Sequence, residues 1–158
     1  MSNIRIVSGT GSAKTALASY DTALTAAGIH NYNLVKLSSV IPPEADLTVS
    51  GTAPVLGDLG DCIYVVEARV TTAKDSQISA GLGWVTSTDG LGIPYETAGH
   101  CSKDESRETL NISLGTAREL RRFDYDTQDC HIVSTSPTTD GYTTVVVSAV
   151  YGAAEPLV

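Results

Sequence analysis

The alternation of hydrophobic and polar residues along the chain predicts several strands and two helices. The segment 4–7, Ile-Arg-Ile-Val, is typical of a first strand, which we expect to end at the glycines of segment 9–11. Between residues 13 and 27 apolar residues recur every three or four positions, which predicts a helix. Ser12 is placed to cap the start of this helix, and Gly28 is expected to end it. The recurring apolar residues are Ala13, Ala16, Leu17, Tyr20, Leu24 and Ala27.

Most of the remaining chain is predicted to form strands. They span residues 33–37, 62–71, 78–86, 131–135 and 142–150. Ser102 followed by Glu105 is a capping box, which predicts the start of a second helix. The inner face of this helix is expected to hold Leu110, Leu114, Ala117 and Leu120. Clustered strands with only two long helices favour an α+β fold, and 158 residues are enough for a single domain covering residues 1–158.

The composition excludes some functions and leaves others open. Ten Lys and Arg against eighteen Asp and Glu give a net charge of −8, so we expect no nucleic-acid partner. The three cysteines and three histidines lack metal-ligand spacing, so we expect no bound metal and reduced thiols in a cytoplasmic protein. Without a basic-then-apolar leader or an apolar run of about 18 residues, neither a signal peptide nor a membrane partner is expected.

The segment that begins with Ser38 and Ser39 offers unusual chemistry. The two serines end a predicted strand, and Pro42 and Pro43 restrict the backbone that follows. In such a place the hydroxyl of Ser39 can attack the carbonyl of Ser38 and convert the amide to an ester. Elimination from the ester turns Ser39 into dehydroalanine, and loss of ammonia then leaves a pyruvoyl group. Taken alone, the motif also fits an ordinary polar turn.

Cleavage at this point would divide the chain into a short β chain, residues 1–38, and an α chain, residues 39–158. A pyruvoyl ketone withdraws electrons and forms Schiff bases with amines. A chain that cuts itself in this way therefore makes its own covalent cofactor.

The sequence around the serine pair extends this hypothesis. The relevant segments are 20–24, 27–34 and 38–45, together with 95–103, where Glu96 precedes a Gly-x-Cys-Ser-Lys run. Together they resemble the pyruvoyl-dependent arginine decarboxylases, in the same order of elements over most of the chain. The resemblance implies a four-layer αββα sandwich and homotrimers, or a multiple of them, with active sites between neighbouring subunits. It also implies decarboxylation of L-arginine to agmatine through a Schiff base with the pyruvoyl group.

Three residues outside the serine pair receive candidate roles from their chemistry and from the resemblance. Asn33 is the candidate donor to the carbonyl oxygen of Ser38, a kind of contact that contributes about 3 kcal/mol in acyl-transfer sites. Glu96, in a loop with few charged neighbours, is expected to stay protonated through burial and to return a proton to the substrate's α-carbon. Asp21, at the edge of the first helix's apolar stripe, is the candidate partner of a guanidinium group.

Each of these residues also has an ordinary interpretation. Asn33 is a common residue type at a strand start, and Glu96 and Asp21 fit solvated surface carboxylates. Three functions therefore stay open: an arginine decarboxylase, the same chemistry on another amino acid, and an uncleaved homologue that acts as a structural or binding subunit. Asp21 is the position expected to discriminate between the first two.

Overall fold

The described part of the chain folds into strands and two helices, which include every element that the sequence pattern predicts and two strands that it does not. The computed structural model describes residues 3–137 and 140–158. Its strands are β1 (Asn3–Ala13), β2 (Asn33–Lys36), β3 (Asp46–Gly51), β4 (Cys62–Thr72), β5 (Ile78–Ser87), β6 (Gly92–Gly99), β7 (Tyr125–Thr135) and β8 (Tyr142–Glu155). Its helices are α1 (Ala16–Ala27) and α2 (Lys103–Leu120).

The strands form two sheets. The larger sheet has the order β2-β4-β8-β1-β3, and the smaller one has the order β6-β5-β7. In the larger sheet β8 runs antiparallel to both of its neighbours, whereas the outer strands β2 and β3 lie parallel to β4 and β1. The smaller sheet is antiparallel throughout. Strands β2 and β6 are therefore edge strands of different sheets.

Three hydrophobic clusters define four layers. One fills the space between the sheets and includes Ile6, Leu82 and Val147. A second packs α1 against the outer face of the larger sheet, and a third packs α2 against the outer face of the smaller sheet. Strand residues alternate between faces, so Val146 contacts the α1 layer while Val147 points to the other sheet. The α+β class and the αββα sandwich are thus confirmed.

The sequence pattern predicted that strand β1 ends at its glycines. The strand instead continues through them to Ala13. Gly9 and Gly11 lie under α1, whose backbone passes very close to the strand. A Cβ at Gly9 would lie 2.0 Å from the carbonyl oxygen of Ala23, and one at Gly11 would lie 2.4 Å from the Ala23 nitrogen. The glycines are needed because another backbone approaches the sheet there.

The first helix therefore begins later than predicted. Its N-cap is Thr15, whose Oγ1 accepts a hydrogen bond from the Ala18 nitrogen at 3.2 Å. Ser12 is still in β1, where its hydroxyl bonds to that of Thr143. The buried face is also rotated from the predicted stripe, since Leu17 is 78% exposed. It consists of Ser19, Ala23, Leu24 and Ala27. Gly28 ends the helix in the left-handed conformation, as predicted.

The second helix follows the prediction closely. Ser102 and Glu105 form both hydrogen bonds of the capping box. Leu110, Leu114 and Ala117 are buried, whereas Leu120, the last helical residue, is exposed. Strand β3 was not predicted, because its residues are half-buried or exposed and show little contrast between faces.

Within residues 3–137 and 140–158, no helix is long and apolar enough to cross a membrane. The same residues contain no group of three or more His, Cys, Asp or Glu side chains arranged to hold a metal ion.

Candidate active site

The serine pair lies where the chain crosses from one sheet to the other. Just before it, the Leu37 nitrogen still donates to the Val65 oxygen of β4, at 2.8 Å. Just after it, Ile41 is paired with Gly92 of β6 through two backbone hydrogen bonds of 2.7 and 3.0 Å. Residues 38–40 therefore span the gap between two edge strands and are fixed at both ends.

These three residues form a tight turn, which we call the serine turn. The Val40 nitrogen donates to the carbonyl oxygen of Ser38 at 3.0 Å, so the hydrogen bond closes a three-residue turn centred on Ser39. The acceptor is the carbonyl that the Ser39 hydroxyl would attack in the predicted self-cleavage. A backbone N–H in this position polarises the carbonyl and can stabilise an oxyanion that develops there.

A tyrosine from a distant strand also holds the serine turn. The hydroxyl of Tyr151, in β8, donates to the carbonyl oxygen of Val40 at 3.0 Å. Burial raises the pKa of Tyr151 to about 12, so its hydroxyl is protonated and able to donate at neutral pH.

Glu96 is the charged side chain that contacts the serine turn. Its Oε2 lies 3.5 Å from the Oγ of Ser39, which is at the outer limit of a hydrogen bond. Glu96 belongs to strand β6, paired with Leu82, and not to a loop as the sequence indicated. The structure thus brings Ser39 and Glu96 together across 57 residues of sequence. Glu96 is exposed on this edge strand, so the structure does not show the burial that we expected around it.

Asn33 lies away from Ser38 in the single chain. Its Nδ2 donates to the carbonyl oxygen of Gly60 at 2.7 Å, and its backbone nitrogen donates to Asp61 at 2.8 Å. Asn33 begins β2, whereas Ser38 follows the end of that strand. Since a strand rises about 3.3 Å per residue, the two positions are separated by more than 10 Å. The donor that reaches the Ser38 carbonyl is the Val40 N–H, which no side-chain motif could have revealed.

Asp21 is also separate from the serine turn. It is exposed on α1, in the outer layer of the sandwich, and it lines a cavity of about 550 Å³ with His30 and Tyr32 among others. None of the hydrogen bonds found among the described residues joins its side chain to Ser39 or Glu96. The structure therefore brings the serine turn and Glu96 together but leaves Asp21 apart from them.

A buried polar cluster links the Asp21 helix to the strand that leads to the serine turn. Tyr20 donates from its hydroxyl to Oε2 of Glu67 at 2.5 Å, and Lys36 Nζ lies 3.4 Å from the other carboxylate oxygen. The side chain of Glu67 is fully buried, and the guanidinium of Arg69 lies 4.2 Å from the centre of the Tyr20 ring. Burial, followed by the bond to Glu67, raises the pKa of Tyr20. The sequence showed only that Glu67 and Arg69 made one face of β4 half-polar.

The fold and the site define an αββα sandwich protein in which a serine pair, a carboxylate and a backbone donor meet at the edge between the sheets. The protein-family model for pyruvoyl-dependent arginine decarboxylase matches residues 3–156. The chain belongs to the pyruvoyl-dependent arginine decarboxylase family.

Individual relatives agree with this assignment. A pyruvoyl-dependent arginine decarboxylase of Halobacterium salinarum is 38% identical over 159 residues, which cover 99% of this chain and 98% of the relative. The enzyme of the same name from Methanococcus vannielii is 33% identical over 127 residues, or 78% of this chain and 74% of the relative. That of Methanocaldococcus jannaschii is 31% identical over 125 residues, with the same coverage.

Family membership implies a covalently bound pyruvoyl group as the cofactor. The residues around position 39 fit such a group. Ser39 is half-buried, the carbonyl before it is held by Val40, and its side chain points to Glu96. A keto group in this place would have an ionisable carboxyl group beside it, and the backbone that follows it is held by hydrogen bonds at Val40 and Ile41.

Proposed function

We propose that the chain cuts itself between Ser38 and Ser39 and then decarboxylates L-arginine to agmatine in the cytoplasm. The observation that carries this proposal is the serine turn. In it, the Val40 nitrogen donates to the Ser38 carbonyl oxygen at 3.0 Å, and the Ser39 hydroxyl, the nucleophile, belongs to the central residue. The family assignment supports the substrate and the reaction type.

The cleavage requires only atoms of this chain and one water molecule. The Oγ of Ser39 bonds to the carbonyl carbon of Ser38 while the amide C–N bond breaks, and the hydroxyl proton ends on the released nitrogen. The ester then gives up the α-hydrogen of Ser39 as a proton and breaks the Cβ–Oγ bond, which frees Ser38 as a carboxylate and leaves dehydroalanine. Water replaces the nitrogen, which departs as ammonia, and residue 39 becomes a ketone.

The Val40 N–H is the proposed oxyanion donor for the first of these steps. Removing one such donor slows acyl transfer by about 10²–10³-fold. Replacement of Val40 by the corresponding α-hydroxy acid deletes the N–H but keeps the side chain, and valine incorporated by the same route is the control. The ester-containing chain should cleave at least 100-fold more slowly, on the scale of that donor effect. Equal cleavage rates in the two chains would show that the Val40 N–H is not the oxyanion donor.

Asn33 keeps a proposed part in processing, but as a support of strand β2. Its bond to the Gly60 carbonyl oxygen fixes the strand that delivers Ser38. Asn33→Ala should therefore slow cleavage by roughly tenfold or less, the scale of one hydrogen bond, and not by the larger factor expected of an oxyanion donor.

In turnover, the pyruvoyl group supplies an electron sink that lets the carboxylate carbon leave as carbon dioxide. Glu96 is the proposed proton donor to the α-carbon, because it is the acid beside position 39. Asp21 is the proposed partner of the substrate's guanidinium, since a carboxylate can accept two parallel hydrogen bonds from that planar group.

We further propose a homotrimer, or a multiple of one, in which Asp21 completes the site of a neighbouring subunit. The support is that Asp21 is exposed on the outer helix and has no described contact with the serine turn of its own chain. Co-expression of Asp21→Ala and Glu96→Gln chains tests this, because each chain can supply what the other lacks. If the chains assemble at random, about a quarter of all sites should regain activity, which corresponds to one of the three sites in each mixed trimer. Absence of any recovery in isolated mixed trimers would contradict a shared site.

The substrate is tested by a panel of amino acids. The purified protein should release agmatine and carbon dioxide in equal amounts from L-arginine, and Ser39→Ala should release neither. Preference for an acidic or neutral amino acid would favour the same chemistry on another substrate. A chain that stays uncut and inactive while folded would instead favour a structural or binding subunit.

A further inference from the structure

Tyr151 is placed to control the serine turn from the centre of the larger sheet. It lies near the end of β8, in register with Ile4 of β1 and Tyr64 of β4. Its ring packs against the apolar cluster between the sheets. The sequence separation between Tyr151 and Val40 is 111 residues, so the contact between them depends on the completed fold.

Hydrogen bonds at Val40 connect the hydroxyl of Tyr151 to the Ser38–Ser39 peptide bond. Val40 uses its nitrogen to hold the Ser38 carbonyl and its own carbonyl oxygen to accept from Tyr151, at 3.0 Å in each case. The next nitrogen, that of Ile41, is bound to Gly92. The Tyr151 bond therefore fixes the orientation of Val40 beside the anchored Ile41. Without it, the three-residue turn could open and leave the Ser38 carbonyl bonded to water.

We propose that Tyr151 is a positioning residue for self-cleavage: its hydroxyl holds Val40 so that the Val40 N–H stays on the carbonyl of the Ser38–Ser39 bond. This inference rests on the proposed self-processing function. It assigns Tyr151 to the making of the cofactor, through Val40, and not to contact with the substrate. Because burial keeps the hydroxyl protonated, the contact is available at any pH near neutrality.

The experiment times cleavage in refolded precursor. Wild-type, Tyr151→Phe and Tyr142→Phe chains are isolated uncut in denaturant, refolded, and followed by intact mass once the near-ultraviolet circular dichroism is constant. Tyr142, an exposed residue of the same strand, is the matched control. Tyr151→Phe should cleave roughly three- to tenfold more slowly than wild type, the scale of one hydrogen bond. Tyr142→Phe should cleave at the wild-type rate.

A fluorinated tyrosine separates donation from packing. A 3-fluorotyrosine incorporated at position 151 keeps the ring and is a stronger donor, so it should restore cleavage to at least the wild-type rate. Cleavage as slow as in Tyr151→Phe would overturn the proposal, as would an unchanged rate in Tyr151→Phe itself. If Tyr151→Phe does not fold, chains that carry a singly or a doubly fluorinated tyrosine at position 151 test the proposal instead. Their cleavage rates must then change with the acidity of the phenol, and equal rates would overturn the proposal. A wild-type chain that never cleaves would overturn the proposed function as well.

Discussion

The buried Glu67 carboxylate gives a prediction whose magnitude follows from the structure. Tyr20→Phe removes the hydroxyl that donates to Glu67 at 2.5 Å and leaves the aromatic ring under the Arg69 guanidinium. Among the described residues, Glu67, whose side chain is fully buried, then keeps Lys36 at 3.4 Å as its remaining partner. The substitution therefore tests a single hydrogen bond to a charged group, with little change in packing.

A hydrogen bond to a charged group contributes about 1.5–3 kcal/mol to the free energy of unfolding. For a domain of about 150–250 residues, each kcal/mol shifts the melting temperature by about 2–4 °C. Tyr20→Phe should therefore lower the melting temperature by about 3–12 °C. Because the cluster joins helix α1 to strand β2 within one chain, the loss should appear in the Ser39→Ala background as well as in the wild-type background.

Differential scanning calorimetry of wild type and variant at neutral pH measures this shift. Tyr142→Phe is the control, because Tyr142 is exposed and its loss should leave the transition within a degree or two of wild type. Lys36→Met removes the other partner of Glu67, and the double variant shows whether the two contacts act on the same carboxylate. A Tyr20→Phe protein that melts with the wild type would refute the view that Glu67 depends on this bond.

Three other predictions concern the site and its pH dependence. Glu96→Gln should still cleave after Ser38 but lose decarboxylase activity by about 10²-fold or more, and normal turnover in this variant would leave the proton donor unassigned. The Asp21→Asn chain should cleave itself normally, but its kcat/KM for arginine should be about 10–100-fold lower. Unchanged selectivity for arginine across a substrate panel would contradict the role of Asp21. The raised pKa values of Tyr20 and Tyr151 mean that their stabilising effect is complete below their ordinary pKa of 10 and is lost as pH rises through the folded values, about 12 for Tyr151. Melting temperature should therefore fall between pH 10 and 12, less so in Tyr151→Phe, and an equal fall in both proteins would contradict this.

Local sequence signals sufficed where the cause of the structure is local. The capping box of Ser102 and Glu105 and the left-handed Gly28 are fixed by hydrogen bonds within a few residues, and both were predicted. The prediction that Gly9 and Gly11 end strand β1 was wrong. Glycine is common both at strand ends and inside strands where a neighbouring backbone passes close by, and the sequence does not separate these two cases. Only the approach of α1 in the folded chain distinguishes the two cases.

In the candidate site too, the residues indicated by local sequence motifs were predicted, whereas contacts that depend on the completed fold were not. Motif and resemblance indicated Ser39 and Glu96, which the fold places side by side. The Val40 N–H and the Tyr151 hydroxyl could not be predicted, because one is a backbone group and the other comes from a strand more than a hundred residues away. Glu67 was likewise seen only as a polar residue in a strand, since its partners Tyr20 and Lys36 come from two other elements.

Intact mass spectrometry of freshly purified protein shows whether the chain converts Ser39 into its own cofactor. We expect two species, residues 1–38 with an unmodified carboxyl terminus and residues 39–158 with the mass of a pyruvoyl group in place of serine. The larger species should gain mass with hydroxylamine and resist Edman degradation, and Ser39→Ala should give one uncut chain. A folded wild-type protein that remains a single chain of unmodified mass after prolonged incubation would show that Ser39 is not converted to a pyruvoyl group.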